Sequence, residues 1–189
     1  MDYLTENNIY ENIRNEVEKA RQKVYAAVNF AMVETYWNIG KQIYEAQGEN
    51  ERAEYGKGLL KFLSEKLTEE FGKGFTATNL KYMRQFYIAF PNRHALSDQL
   101  SWTHYRMLLK VEDDKARTFY LNESVKSNWS TRQLERQINS FYYQRLLSSQ
   151  DKDSVRNEIQ TLEDQQEQAD YYKQQLNELM KQCEVLEHI

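Results

Sequence analysis

Residues 71–87 read FGKGFTATNLKYMRQFY, and this stretch decides the fold that the sequence predicts. Gly72 and Gly74 suit a tight turn, because glycine reaches positive φ angles without steric cost. A threonine, Thr76 or Thr78, then suits the N-cap of a new helix, since its hydroxyl can accept a hydrogen bond from a backbone N–H. A helix, a glycine turn and a second capped helix in direct succession predict a helix-turn-helix.

The helix after the turn is expected to run to about Phe90, because Pro91 cannot continue it. Helical spacing divides its residues between two sides. The side predicted to face the core carries Leu80, Met83, Tyr87 and Phe90. The other side is polar and basic, and it carries Thr78, Lys81, Tyr82 and Gln85.

A long first helix is predicted from about Asn8 to Glu45. Its apolar positions recur at spacings of three and four, or multiples of them: Ile9, Ile13, Val17, Ala20, Val24, Ala27, Ala31, Ile39 and Ile43. Four further residues widen the stripe: Val28, Met32, Tyr36 and Trp37. We therefore expect the second half of this helix to be more completely buried than the first.

A second helix is predicted from about Arg52 to Phe71. Its inward positions are Leu59, Leu60, Leu63, Leu67 and Phe71. Gly56 and Gly58 weaken its early part by about 1 kcal/mol each relative to alanine. They are candidates for a close helix crossing.

Three further helices are expected beyond Pro91, at about 102–111, 113–126 and 130–148. The last begins with Ser130 and Gln133 in the spacing of a capping box and continues through Leu134, Ile138, Phe141 and Leu146. Residues 92–101 connect these helices to the turn region and leave room for a short pair of strands. The fold class is therefore all-α, a helical domain with a helix-turn-helix, winged-helix-like core.

The composition changes at residue 151, so we predict a helical domain over 1–150 and an acidic C-terminal helix over 151–189. Apolar residues in the second segment recur every seven positions: Val155, Leu162, Ala169, Leu176 and Cys183. This spacing indicates a weak coiled coil, which could form a homodimer, or a helix leaning on the body.

Charge is distributed unevenly along the chain. The net charge is −4, yet residues 72–150 hold 12 Lys and Arg against 6 Asp and Glu, whereas residues 151–189 hold 4 against 10. The basic segment begins at the predicted turn, which favours a polyanionic partner whose binding depends on salt. A single cysteine, no signal peptide and no long apolar run favour the cytoplasm and argue against a membrane span.

No catalytic or metal-binding pattern stands out. His94, His104 and His188 lack the spacing of metal ligands, and phosphate-loop and nucleophile motifs are missing from the sequence. His104 is expected to form a hydrogen bond within the helical body. Asp113-Asp114-Lys115 resembles the end of a metal-dependent nuclease site, but it lies at a helix start without the strand that such a site needs. We expect neither cofactor nor metal.

The predicted nucleic-acid contacts lie on the polar side of the helix after the turn, at nearby cations in the turn and on the helix, and at two later helix starts. The primary candidates are Lys73, Lys81, Arg84 and Gln85, with Thr78 and Tyr82 beside them, and the secondary candidates are Arg106, Arg132 and Arg136. Arginine, lysine and glutamine suit phosphate and base-edge contacts by geometry. The alternatives are a solvated helix face, caps over buried aromatic residues, and arginines paired with acidic neighbours.

Several segments together resemble the N-terminal domain of the YhcG-type bacterial proteins, long catalogued as a domain of unknown function. The match covers about residues 20–150 in order. It is carried by YWNIGK at 36–41, RAEYG at 52–56, LSEKL at 63–67, FGKGF at 71–75, NLKYMRQFY at 79–87, LSWTHY at 100–105 and WSTRQLERQI at 129–138. The resemblance implies a helical domain that binds DNA and usually precedes a PD-(D/E)XK nuclease domain.

This chain shows no nuclease domain after residue 150, so the resemblance implies a binding or targeting module that does not itself cleave. The expected partners are DNA and a nuclease domain or subunit. The alternative is a helical protein–protein adaptor or oligomerisation module, favoured by the negative net charge, the heptad-like tail and the many tyrosines. A self-sufficient enzyme is the third interpretation.

Overall fold

The computed structural model describes residues 3–47 and 53–186, and the described residues form helices without any strand. The all-α prediction is confirmed. The helices are α1 (Tyr3–Gln47), α2 (Ala53–Phe71), α3 (Ala77–Ala89), α4 (Trp102–Leu108), α5 (Asp114–Lys126), α6 (Thr131–Asn139), α7 (Tyr142–Ser148) and α8 (Lys152–Leu186). Two compact units divide at residues 135 and 136, inside α6. The composition-based boundary at residue 150 stays a prediction.

The core of the first unit is built on the crossing of α1 and α3. The central buried side chains are Ile43 on α1 with Leu80 and Met83 on α3, and half-buried leucines of α2 pack against them. Gly40 makes this approach possible, because a Cβ built there would lie 2.0 Å from the carbonyl oxygen of Met83. Helix α3 therefore rests directly on the backbone of α1.

The close helix crossing occurs at Gly40 of α1, whereas the sequence analysis proposed Gly56 and Gly58 of α2. Gly58 has no atom within 4 Å of a built Cβ, so the proposed crossing there is wrong. The side-chain surroundings of Gly56 lie outside the described residues. Gly40 comes shortly after Tyr36 and Trp37 in α1, but local spacing does not show which glycine of a helix will meet the backbone of another helix.

Burial along α1 is concentrated in its second half, as predicted. Val33, Trp37 and Ile43 are buried, whereas the side chains of residues 6–29 are exposed. The predicted apolar stripe of the second half includes Val28 and Met32, but both are exposed because α3 packs on the last part of α1. Phe71 was also expected inside and is 62 % exposed, with its ring 6.0 Å from that of Phe75.

Helix α4 docks on α3 through rings that surround Phe86. The centroid of the Phe86 ring lies 4.7 Å from that of Tyr105 and 5.4 Å from that of Trp102. Phe86 is fully buried although the predicted core does not include it, while Tyr87 and Phe90 are half-buried. Burial raises the pKa of Tyr105 to about 12, and its hydroxyl accepts a bond of 2.9 Å from the N–H of Ser97.

Residues 92–101 contain no strand, so the pair of strands considered for this segment is wrong. A 3₁₀ turn covers Arg93–Ala95, and Asn92 Oδ1 accepts from the N–H of His94 at 3.0 Å. Arg93 pairs with Glu34 of α1 at 2.7 Å. Local side-chain bonds of this kind satisfy the backbone in place of a ladder.

The helix predicted over 130–148 begins as expected and then breaks. Ser130 N–H donates to Oε1 of Gln133 at 2.7 Å, and Gln133 N–H donates to Oγ of Ser130 at 3.3 Å, which confirms the capping box. The break comes at Phe141, whose φ is 54° and whose side chain is 64 % exposed. Tyr142 is buried instead, so the inward assignment of Phe141 is wrong.

The second unit contains α7 and α8. Arg145 of α7 forms an ion pair with Glu158 of α8, and Ile159 is buried. Farther along α8, Leu162 and Leu176 are exposed. The side chain of Cys183 lies outside the described residues, and the coiled coil stays a prediction.

Candidate nucleic-acid interface

The turn between α2 and α3 depends on the backbone of Gly72. Its φ is 88°, and its N–H donates to the carbonyl of Thr68 at 3.0 Å, which closes the last turn of α2. A 3₁₀ turn over Lys73–Phe75 follows, in which Gly74 does not take positive φ. The first glycine therefore supplies the positive φ at which the chain leaves α2, a conformation that costs glycine no steric strain. The helix-turn-helix and winged-helix descriptions stay predictions.

Asn79 fastens this turn to α3 and to α4. Its backbone N–H donates to Oγ1 of Thr76 at 3.2 Å, which identifies Thr76 as the N-cap. Its Nδ2 donates to the carbonyl of Gly74 at 2.6 Å, and its Oδ1 accepts from Nε1 of Trp102 at 3.3 Å. Sequence reasoning did not assign this role to Asn79, because Trp102 lies on another helix.

A cleft of about 280 Å³ lies beside this junction. Four of the predicted contact residues line it: Lys73, Thr78, Tyr82 and Arg106. The remaining lining residues are Gly74, Thr76, Asn79 and Trp102. The cleft therefore combines two cations, hydroxyl groups and the first turn of a thirteen-residue helix, whose N-terminus carries a partial positive charge. This is chemistry that suits an anion.

Arg106 and Tyr82 meet across the cleft. The guanidinium carbon of Arg106 lies 4.8 Å from the centroid of the Tyr82 ring, which is a cation–π contact. Arg106 is exposed and Tyr82 is half-buried, so the stacked pair is open to solvent on one side. The fold thus brings together two residues that the sequence separates by a helix and a loop.

Lys81 and Gln85 stand on the exposed side of α3, as predicted. Among the described residues, no carboxylate lies within 4.0 Å of the amino groups of Lys73 and Lys81. Gln85 lines a second cleft, of about 350 Å³, with residues that include Asp114 and Arg117. The polar face therefore continues from the turn along α3.

Arg84 is placed apart from this cleft. Its guanidinium lies 5.7 Å from the ring centroid of Tyr44 on α1, and its Nε is buried without a hydrogen-bond partner in the described part of the chain. The side chain is half-buried. Arg84 packs against α1, whereas Lys81 is free in solvent.

Arg132 and Arg136 belong to different compact units. Arg132 is exposed in the first turn of α6. Arg136 begins the second unit, is half-buried, and has Nε and Nη2 without a hydrogen-bond partner among the described residues. Arg132 is not among the residues that line the cleft.

His104 holds α4 in position from its buried side. Its Nδ1 lies 3.1 Å from the N–H and 2.8 Å from Oγ of Ser101, and its Nε2 lies 3.0 Å from the carbonyl of Trp129. A neutral ring with the proton on Nε2 satisfies all three contacts. Burial lowers the pKa of His104 below 6.5. The predicted hydrogen bond of this histidine is confirmed.

The acidic pair after α4 stabilises the first turn of helix α5. Asp113 accepts from the N–H of Lys115 at 2.9 Å as the N-cap, and Asp114 pairs with Arg117 at 2.6 Å. Across the described side chains, no group of three or more His, Cys, Asp or Glu residues is arranged to hold a metal ion. No helix within the described ranges is long and apolar enough to cross a membrane.

Charge around the cleft is predominantly positive. Residues 72–110 contain six Lys and Arg and one Asp, a net charge of +5. Arg93 is neutralised by Glu34, and the remaining cations include Lys73, Lys81 and Arg106. An anion that approaches the start of α3 therefore meets a favourable field.

An all-α domain with a cationic cleft at a glycine turn is the class of protein that these features define. Residues 12–145 match the DUF1016 N-terminal domain, and the chain belongs to this family. It is similar to the Escherichia coli (strain K12) protein described as "Putative nuclease YhcG", with 34 % identity over 78 % of this chain and 48 % of the relative. The chain thus spans about half the length of that relative. No solved structure matches.

Proposed function

We propose that this chain is a DNA-binding module that directs a nuclease, present as a further domain or a separate subunit, and that it does not itself cleave. The cleft at the start of α3 carries the proposal, because Lys73 and Arg106 line it and Lys81 is exposed on the next turn. Lysine and arginine at a helix N-terminus suit phosphate oxygens, which supply most of the affinity for DNA.

The name of the relative supports the nuclease part of the proposal. A nuclease acts on nucleic acid. The relative is described as a putative nuclease, and its chain is about twice as long as the part that the match covers. The part of that relative beyond the match is where we place catalysis. Residues 71–87 and the cleft would then contribute binding and orientation of the duplex.

Fluorescence anisotropy with a labelled duplex, titrated over a series of salt concentrations, tests DNA binding. We expect binding at low salt that weakens linearly on a plot of log K against log salt. A chain that fails to bind even at the lowest salt contradicts the proposal. Incubation of the same duplex with Mg²⁺ should leave it intact, and robust cleavage would show that the chain is an enzyme.

A protein–protein adaptor is the second candidate, and one observation favours it. The first half of α1 exposes a row of apolar side chains, including Ile13 at 59 % and Val24 at 63 %. Exposed apolar surface of this kind marks association sites. Duplex binding separates the two candidates, because an adaptor predicts no salt-dependent affinity for DNA.

A further inference from the structure

The exposed half of α1 carries an apolar stripe with an unusual symmetry. The stripe consists of Ile9, Ile13, Val17, Ala20, Val24 and Val28, all on solvent-exposed positions. The spacing repeats every eleven residues, or 3.67 residues per turn, so the six side chains stay on one face of the helix. A 20-residue stripe at 1.5 Å per residue is about 30 Å long.

The spacing reads the same in both directions about a midpoint between Glu18 and Lys19. A second copy of α1 laid antiparallel would place Ile9 opposite Val28, Ile13 opposite Val24, and Val17 opposite Ala20. Each large side chain then meets an apolar partner, and no position of the stripe faces a polar one. A two-fold symmetric pair is the arrangement expected of homodimers.

Charge along the same segment selects the antiparallel direction. Residues 6–18 hold four Glu and one Arg, a net charge of −3, and residues 19–31 hold three Lys and Arg and no acid, a net charge of +3. An antiparallel pair sets each acidic block against the basic block of the second copy. A parallel pair would set like charges together, which is destabilising.

One edge of the stripe carries a specific complementary pair. Glu16 and Lys23 share this edge by helical spacing, seven residues apart. In the antiparallel alignment, Glu16 of one chain and Lys23 of the second copy lie within one helical turn of each other. In the single chain Glu16 pairs with Lys19 of its own helix at 2.9 Å, so in the antiparallel alignment it would lie between Lys19 and Lys23 of the second copy. On the opposite edge, Arg14 is neutralised within its own helix by Glu11 and Glu18.

We propose that residues 9–28 of α1 form an antiparallel two-helix interface with a second copy of this chain. The four most exposed large side chains of the stripe are 54–63 % exposed in the single chain: Ile9, Ile13, Val24 and Val28. Pairing removes this surface from water. The interface differs from the homodimer predicted for residues 151–189, and mutations distinguish the two.

Light scattering coupled to size exclusion, applied to the full 189-residue chain, measures the mass directly. We expect twice the monomer mass of 22.7 kDa, with dissociation on dilution. Val17→Gln with Val24→Gln should raise the dimer Kd by about a hundredfold or more, since it removes four apolar side chains from the interface. Leu162→Gln with Leu176→Gln on α8 is the matched control and should leave the dimer unchanged.

A charge exchange tests the direction of pairing. The exchange is made in a Lys19→Ala background, which removes the partner of Glu16 within its own helix. There Glu16→Lys should weaken the dimer and addition of Lys23→Glu should restore it, because only the antiparallel alignment brings these positions together. A monomer at every concentration overturns the proposal, as does a dimer lost in the α8 control and kept in the α1 variant. Failure of the double exchange to restore the dimer overturns the antiparallel alignment. Circular dichroism of each variant verifies that the helices remain.

Discussion

The guanidinium of Arg106 covers the ring of Tyr82, with 4.8 Å between the guanidinium carbon and the ring centroid. The contact joins α4 to α3 and fixes a flexible cation at the mouth of the cleft. A stacked arginine keeps its N–H groups in the plane of the guanidinium, where they can donate to a phosphate. The pair therefore positions a donor that is otherwise mobile.

Arg106→Ala should weaken duplex binding by roughly five- to a hundredfold, in line with the loss of one charge-assisted contact. Because Arg106 is exposed, the unfolding temperature of the variant should stay close to that of the parent chain. Arg156→Ala, at an exposed arginine of α8, is the control. Equal affinity of the two variants, measured by anisotropy at one salt concentration, would rule out a role for Arg106 in binding.

Asn79→Ala should destabilise the chain by about 1–3 kcal/mol, because it removes the bonds to Gly74 and to Trp102. Asn79→Asp keeps the acceptor for Trp102 but turns a carboxylate oxygen towards the Gly74 carbonyl, so it should also destabilise the chain. Urea unfolding measures both. Asn122→Ala on the exposed side of α5 serves as the control, and a loss at Asn122 as large as that at Asn79 would contradict the assigned role.

Alanine at Gly40 and at Gly58 should shift stability in opposite directions. A Cβ at Gly40 would meet the Met83 carbonyl at 2.0 Å and force α1 and α3 apart, at a cost of about 1–3 kcal/mol or more. A Cβ at Gly58 meets nothing within 4 Å, so Gly58→Ala should stabilise α2 by about 1 kcal/mol. Thermal unfolding of the two variants decides the point; a shift of the same sign in both would refute it.

Stability should depend on pH through His104. Its pKa is lowered below 6.5 in the folded chain by burial, so the unfolded chain binds the proton more readily. The contribution of the neutral ring is complete above pH 6.5 and is lost as the pH falls from 6.5 towards the lower folded pKa. His104→Gln should flatten this part of the unfolding curve against pH, whereas His94→Gln, at an exposed site, should retain it.

Local chemistry explains which parts of the fold the sequence predicted. The positive φ of Gly72, the Thr76 cap and the Ser130–Gln133 capping box each involve residues a few positions apart, so their spacing is visible in the chain. The exposure of Thr78, Lys81 and Gln85 on α3 followed from helical period alone. In the candidate site, residue type and helix position alone pointed to Lys73, Thr78, Tyr82 and Arg106, and these four residues line one cleft.

Long-range packing explains what the sequence did not predict. Phe86 is buried because α4 covers it, and Gly40 is required because Met83 crosses it. Neither partner is visible from local spacing. The left-handed Phe141 carries no glycine signal, so the break between α6 and α7 was missed. Arg84 was predicted as a phosphate contact because it is a cation near Lys81, yet its side chain packs against Tyr44 of α1.

The salt dependence of duplex affinity for the parent chain and for Lys73→Ala with Lys81→Ala tests the central claim most directly. We expect weaker binding by the double variant and a slope of log K against log salt that is smaller by about 2, because each lysine neutralises one phosphate. Lys126→Ala should leave the slope unchanged. Parent and double variant with the same affinity and the same slope would contradict the assignment of the α3 face to DNA.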